Sequence, residues 1–288
     1  MIIKYLKMKF FFITLERFPN IFRPSSKPFI SGDTFRSFAN HIFDETKSFD
    51  PKKVMENDIV FLSSSVIKTY FKIQHPFISK NYYLITHNSQ TNINDYIEKY
   101  LDEKIKHWYS INLELGANDK VSLIPLGLEN LRRLRYGRRK WFSIKTTKKS
   151  NFILCSFSDY SNYEERKNIK KIANSLKLVD VIDFQSTENY FQILSGYKFI
   201  ICPPGRGFDT TRIWESLLLD VFPIFVKNKF TLNLKLLNTP GLYLDSWEDL
   251  TQISEETLNK EYKKLLNMEY KHLTSYDYWY KKIKLNLD

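Results

Sequence analysis

Cysteine is nearly missing from this chain: Cys155 and Cys202 are the only two among 288 residues, and each lies in an apolar, strand-like run. That excludes a disulfide framework and a cysteine-rich metal site, and the pair reads as buried thiols of a reducing compartment. No two aspartates stand in a D-x-D arrangement and no His/Cys cluster has ligand spacing, so the chain carries no metal signature. Two phosphate motifs fail as well. There is no GxxxxGK[ST], and GxGxxG is incomplete at Gly205 and Gly207 because Thr210 occupies the third glycine position. Long apolar runs are also lacking. Phe10 to Leu15 is too short to cross a bilayer and has no small-residue cleavage site, so it reads as a first core strand. A soluble, cytoplasmic protein is expected, with peripheral attachment to a membrane left open.

What is present bounds the answer from the other side. The length suffices for one large or two ordinary domains, and 16% aromatic residues exclude a disordered chain. The formal net charge of +12 invites a nucleic-acid reading. Lys, Asn, Ile, Phe and Tyr are abundant together, however, which points to a compositionally biased genome and strips part of the lysine excess of meaning. Residues 132–149, RRLRYGRRKWFSIKTTKK, hold nine Lys or Arg and no acid. Such a run between two sheets reads as a connection with a solvated basic face, able to attract an anionic membrane, an acidic glycan or phosphates. No RNP, zinc-finger or helix-turn-helix signature accompanies it, which disfavours nucleic acid as the partner.

Along the chain, apolar runs of strand length alternate with helix-like segments, the pattern of parallel sheets flanked by helices. Residues 31–44, SGDTFRSFANHIFD, place Phe35, Phe38, Ala39, Ile42 and Phe43 at helical spacing behind a Ser31 or Asp33 cap, predicting one amphipathic helix. Asp33 reads either as that cap or, with Gly32, as a group lining a cleft and touching an acceptor hydroxyl. Asn81 to Thr86 predicts a strand ending in His87-Asn88-Ser89. Open α/β sheets place ligands past the carboxyl ends of strands, which makes His87 a candidate base or acceptor-binding group. A structural hydrogen-bonding histidine is the plainer alternative.

The stretch with most information is Lys198 to Val226, KFIICPPGRGFDTTRIWESLLLDVFPIFV. A buried strand at 199–202 runs into a Pro/Gly turn. Asp209 is placed to cap a helix starting near Thr210, Ile213, Trp214, Leu217 and Leu218 recur at helical spacing, and a second strand follows at 221–226. Arg206 precedes the helix and Arg212 lies in its first turn, where the macrodipole disfavours cations. Free backbone N–H groups, a glycine turn that lets a ligand approach, and two guanidiniums together suit a phosphate or diphosphate. Glu215, three residues after Arg212, could accept from ribose hydroxyls, or the two could form a surface pair.

The block CPPGRGFDTTRIWESLLLDVFPIF resembles the exostosin-like glycosyltransferases and related short enzymes of surface-glycan loci. The shared elements are an apolar strand, P-x-G, a spacer, R-x-W-E and a hydrophobic block ending in Pro-Ile; Asp220 stands where such sequences often have glycine. The resemblance implies an α/β, GT-B-like fold of two Rossmann-like domains whose parallel sheets face across a cleft, at 1–145 and 146–288. It also implies a nucleotide-sugar co-substrate with no other cofactor and no obligatory metal, and a glycan or lipid-linked acceptor. By position, Gly205, Arg206, Gly207, Thr210, Thr211 and Arg212 would hold the donor diphosphate and Glu215 the ribose. His87 or Asp33 would serve as base, and the C-terminal tail would pack back on the first domain. Two rivals remain at this stage, a non-catalytic sugar-nucleotide or glycan-binding protein and a basic nucleic-acid-binding protein.

Overall fold

The computed structural model describes residues 23–114, 118–133, 135–144, 149–183 and 185–285. The strand expected at residues 10–15 lies outside them. The chain forms two compact units, one from Met1–Ile111, Asn118–Arg138 and Ser275–Asp288, the other from Asn112–Ala117 and Arg139–Thr274. The division falls inside the basic run, but the first unit also takes the chain from Ser275 onward.

In the first unit a short helix α1 (Gly32–Arg36) leads to β1 (His41–Phe43) and β2 (Ile59–Ser63). Next come α2 (Ile67–Ile73), β3 (Tyr82–His87), α3 (Asn94–Tyr100), β4 (Ile105–Ser110) and β5 (Val121–Leu123). The strands form one parallel sheet in the order β1-β2-β3-β4-β5. Ile59 to Leu62 and Leu84-Ile85 are fully buried, as a parallel sheet covered on both faces requires of its central strands.

The predicted helix over 31–44 is broken in two, and the second half is strand. Ser31 caps α1 as expected, accepting from the Thr34 backbone. After Phe38, Asn40 exchanges two hydrogen bonds of 2.9 Å with the Ile59 backbone, one through its own N–H and one through its side-chain oxygen. That clamp draws His41–Phe43 into register beside Val60–Leu62, and sheet pairing outweighs helical periodicity.

The second unit runs β6 (Asn151–Cys155), α4 (Tyr163–Asn174), β7 (Val179–Val181), α5 (Thr187–Ser195), β8 (Tyr197–Ile201), α6 (Thr211–Leu217), β9 (Phe222–Val226), α7 (Lys229–Leu236), β10 (Leu242–Leu244) and α8 (Glu255–Leu266). Its sheet is also parallel, in the order β10-β9-β8-β6-β7. The chain then returns to the first unit with α9 (Tyr276–Leu285), where Trp279 packs edge-on to Phe35 and Tyr276 to Phe38. Two α/β units with parallel sheets, each Rossmann-like, match the fold class predicted from the sequence.

Asp220 closes α6 in the left-handed conformation, φ +54°, which explains why glycine suits this position. Its carboxylate accepts from the Tyr270 hydroxyl at 2.7 Å, and its carbonyl accepts from Tyr262. Both Asp220→Ala and Asp220→Gly lose the carboxylate bond, but only alanine retains the backbone strain. Asp220→Ala is therefore expected to be less stable than Asp220→Gly by about 1 kcal/mol, measured by urea denaturation; equal stabilities would remove strain from the account.

Candidate functional site

In the second unit β6 is the first strand and has β7 on one side and β8 on the other. Chain direction across the sheet reverses there, so the turns after β6 and β8 splay apart and leave a crevice at the carboxyl edge, where open sheets of this order bind ligands. The turn after β6 carries Phe157 and a 3-10 turn Asp159–Ser161; the turn after β8 carries Pro203 to Thr210.

Arg166, on the first turn of α4, ties these turns together. Its guanidinium donates to Ser158 O at 2.7 Å, Pro204 O at 2.8 Å and Pro203 O at 3.4 Å. The residue is only 5% exposed. Burial first, and the nearby Arg212 cation second, push its pKa down to about 10. Both guanidiniums lie against the same ring, 5.4 Å and 5.7 Å from the Phe157 centroid. Arg206 is exposed and reaches over the ring of Tyr160 at 5.8 Å. Three cations thus converge on one crevice, and two of them raise each other's cost of burial.

The helix that follows is positioned differently from expectation. Asp209 does not cap it. The buried Trp214 indole N–H needs an acceptor, and Asp209 supplies one at 2.8 Å, while its own N–H donates to Asn112 Oδ1 at 2.8 Å. Thr210 is the N-cap, with no hydrogen bond from its side chain into the helix. Thr210 Oγ1 and Arg212 Nε are both buried and make no hydrogen bond to any described residue. Buried polar atoms are ordinarily satisfied, so two orphans two residues apart set this turn apart. Glu215 is buried on the inner side of α6, 3% exposed.

Neither Gly205 nor Gly207 takes the left-handed conformation; among the described glycines only Gly127 does. Space is the reason they are glycine. A Cβ on Gly205 would come within 3.1 Å of Arg166 Nη2, and one on Gly207 within 3.0 Å of Asn112 Nδ2. Arg166 and Asn112 were not singled out from the sequence. Arg166 directly follows Glu164 and Glu165 on a helix rich in lysine, so in the sequence it resembles one more surface charge. Cys155 and Cys202 are unbonded and buried, and burial pushes both thiols up to about 12, which leaves them unreactive near neutral pH.

In the first unit, Asp33 and His87 are brought together at the carboxyl end of the sheet, and both are buried. Asp33 lies in α1 itself, and Ser31 rather than Asp33 is its cap. Its Oδ1 accepts from Arg23 Nε at 2.9 Å, Arg23 Nη2 at 2.7 Å and Asn88 Nδ2 at 3.2 Å. Its Oδ2 accepts no hydrogen bond from a described residue and faces Arg132 Nε at 3.3 Å. Asn130 completes the ring, accepting from Asp33 N at 2.7 Å and donating to Asn88 Oδ1 at 2.9 Å. Arg23 also pairs with Asp44, as does Arg36 at 2.7 Å. Burial pushes the Asp44 carboxyl up, but hydrogen bonds from Thr46 and Arg36 outweigh it and hold the group below its usual range.

His87 accepts from Asn88 N at Nδ1 (2.7 Å) and contacts Pro125 O through Nε2 (3.2 Å), which fixes the neutral tautomer that donates from Nε2. Gly32 must lack a side chain here, since a Cβ would collide with Asn88 Oδ1. Among the described residues, no group of three His, Cys, Asp or Glu side chains could hold a metal ion, and no helix is long and apolar enough to cross a membrane.

No protein-family model matches the chain, and no curated protein matches it. Among solved structures it is similar to the UDP-GlcNAc 2-epimerase of Methanocaldococcus jannaschii, at 12% identity and a TM-score of 0.34, covering 80% of this chain and 76% of that one. At that identity and score the likeness carries no argument about activity, and the architecture rests on the two sheets themselves.

Burial, opposed by contacts with Pro125 and Asp33, pulls the His87 pKa from 6.5 to about 4. Between those values the unfolded chain binds a proton that the folded protein does not. Stability is therefore fully present above about pH 6.5 and falls as the pH drops toward 4. His75 and His107, lowered mainly by burial, act in the same sense. Denaturation midpoints measured from pH 7 to pH 4 should fall, with a shallower slope in His87→Gln, and an imidazole signal for His87 titrating near 6.5 by NMR would contradict this.

Proposed function

We propose that the crevice between β6 and β8 holds the diphosphate of a nucleotide-sugar, and that the protein is an exostosin-like glycosyltransferase acting without an obligatory metal. The observation that carries this reading is the pair of buried, unsatisfied atoms Arg212 Nε and Thr210 Oγ1 beside the Arg166 guanidinium at the switch point of the sheet. A diphosphate supplies acceptor oxygens to both and offsets the repulsion between Arg166 and Arg212. Arg206, exposed at the rim, adds a cation, Gly205, Gly207 and Thr211 are assigned to the same diphosphate site, and Glu215 is assigned to the ribose.

In the transfer, the acceptor hydroxyl oxygen bonds to the anomeric carbon as the bond from that carbon to the diphosphate oxygen breaks. The electron pair leaves with the nucleoside diphosphate, and Arg166, Arg212 and Arg206 stabilise the charge that develops on it, a preorganised electrostatic contribution. The acceptor, a glycan or a lipid-linked saccharide, is assigned to the first unit. Of the two groups proposed there, Asp33 is favoured as the proton acceptor, because its Oδ2 accepts no hydrogen bond from a described residue while both His87 nitrogens are engaged. His87 then acts by holding Asn88, and through it Asp33, in place.

Isothermal titration with UDP, GDP, ADP and CDP tests the donor site. One nucleoside diphosphate is expected to bind, and Arg212→Ala to weaken it by about tenfold to a hundredfold, the value of one or two charge-assisted hydrogen bonds. Arg212→Lys, which keeps the charge but loses the fork, should retain part of the affinity. Absence of binding at millimolar nucleotide, or undiminished binding by Arg212→Ala, would overturn the assignment. Release of nucleoside diphosphate only when an acceptor glycan is added separates a transferase from a protein that merely binds the donor.

A further inference from the structure

A second cavity lies within the first unit, between α2 and α3, with a volume of about 750 Å³. One wall is an aromatic ladder. Phe71 and Tyr100 stack with ring centroids 4.3 Å apart and 4° between planes, and Tyr96 continues the stack from Tyr100 at 6.3 Å and 17°. Phe71 is buried, so it anchors the ladder to the core, whereas Tyr96 and Tyr100 are half-buried and line the cavity.

Around the ladder stand Lys68 and Lys72, one turn apart on α2, and Lys99 on α3, all exposed, with the Lys99 ammonium 5.0 Å from the Tyr100 centroid. Asp95 is the one carboxylate lining the cavity. Nothing in the fold of the sheet calls for this arrangement, since a solvated helix face needs lysines but has no use for half-exposed stacked tyrosines between them.

We propose that this cavity is a binding subsite for an anionic saccharide. A sugar ring lies against Tyr96, the outer end of the ladder, where its C–H face covers apolar surface. The lysines meet carboxylate or phosphate substituents, and Asp95 accepts hydrogen bonds from ring hydroxyls. Asp95 decides between ligand classes. A polyhydroxylated ligand uses it as an acceptor, whereas a nucleic-acid backbone laid along three lysines would set a phosphate against it. The inference goes beyond the donor site of the second unit and does not depend on it.

The test is titration of the full chain, without nucleotide, against oligogalacturonate, a phosphomannan oligosaccharide, a neutral maltodextrin of matched length and poly(U). At least one of the two charged saccharides should bind more tightly than maltodextrin, and which one it is separates carboxylate from phosphate recognition. Lys68→Ala with Lys72→Ala, and separately Tyr96→Ala, should each weaken that binding about tenfold, while Tyr96→Phe keeps most of it. Asp95→Asn should weaken the saccharide and leave poly(U) unweakened. Four results would each overturn the proposal: no charged saccharide bound at low salt, maltodextrin bound as well, binding unchanged in the lysine and Tyr96→Ala variants, or poly(U) bound more tightly and lost with Tyr96→Ala. Circular dichroism of each variant separates lost binding from lost fold.

Discussion

The buried guanidinium of Arg166 is the contact on which the candidate donor site depends. Two turns that leave a parallel sheet on either side of its switch point have no strand ladder to hold them, and their carbonyls point into the crevice. Arg166 bonds a carbonyl from the β6 turn and two from the β8 turn, converting two loops into one rim. The same charge is then spent twice, since a cation held by carbonyl dipoles still presents a positive field to an incoming anion. The close packing of Gly205 against its Nη2 follows from that role.

The first unit is built on a different principle. There a ring of buried charge, Arg23, Asp33, Asp44, Arg36 and Arg132, is closed by the amides of Asn88 and Asn130. Removing any member of such a network leaves a charge without its partner in a low-dielectric setting, which costs more than the pair contributed. The network therefore specifies one arrangement of the turns after β3 and β5 around α1. His87 belongs to it as a neutral, doubly engaged ring. Rigidity and candidate chemistry here come from the same bonds.

The net positive charge divides into parts of different meaning. Some lysines, such as Lys227 opposite Asp245 and Lys170 opposite Asp159, balance local acids. Apart from the exposed Arg206, the arginines in the two candidate sites are buried or half-buried, and those of the first unit are matched by carboxylates. Lysines around the Phe71, Tyr96 and Tyr100 ladder are neither buried nor incidental to a cavity. A single figure for net charge merges these cases, and an argument from it alone toward nucleic acid loses force once the positions are separated.

Much of the architecture was legible in the chain. Runs such as Ile59 to Leu62 and Phe199 to Ile201 are apolar throughout because strands of a covered parallel sheet bury both faces, and alternation with helical periodicity then implies two Rossmann-like units. The strand, turn, helix and strand around Pro203 to Val226 were likewise readable, since proline, glycine and periodicity act locally. What only the tertiary structure decided involved partners far apart in sequence. The 31–44 segment became half strand because Asn40 met Ile59. Asp209 served the Trp214 indole instead of the helix end, Asn112 and Arg166 filled the space left by two glycines, and Arg212 Nε was left unsatisfied. Local preference amounts to tenths of a kcal/mol per residue, whereas satisfying or stranding a buried polar group is worth about one to three; where the two conflict, the long-range bond prevails, and the sequence by itself does not contain the distances that say which bond that will be.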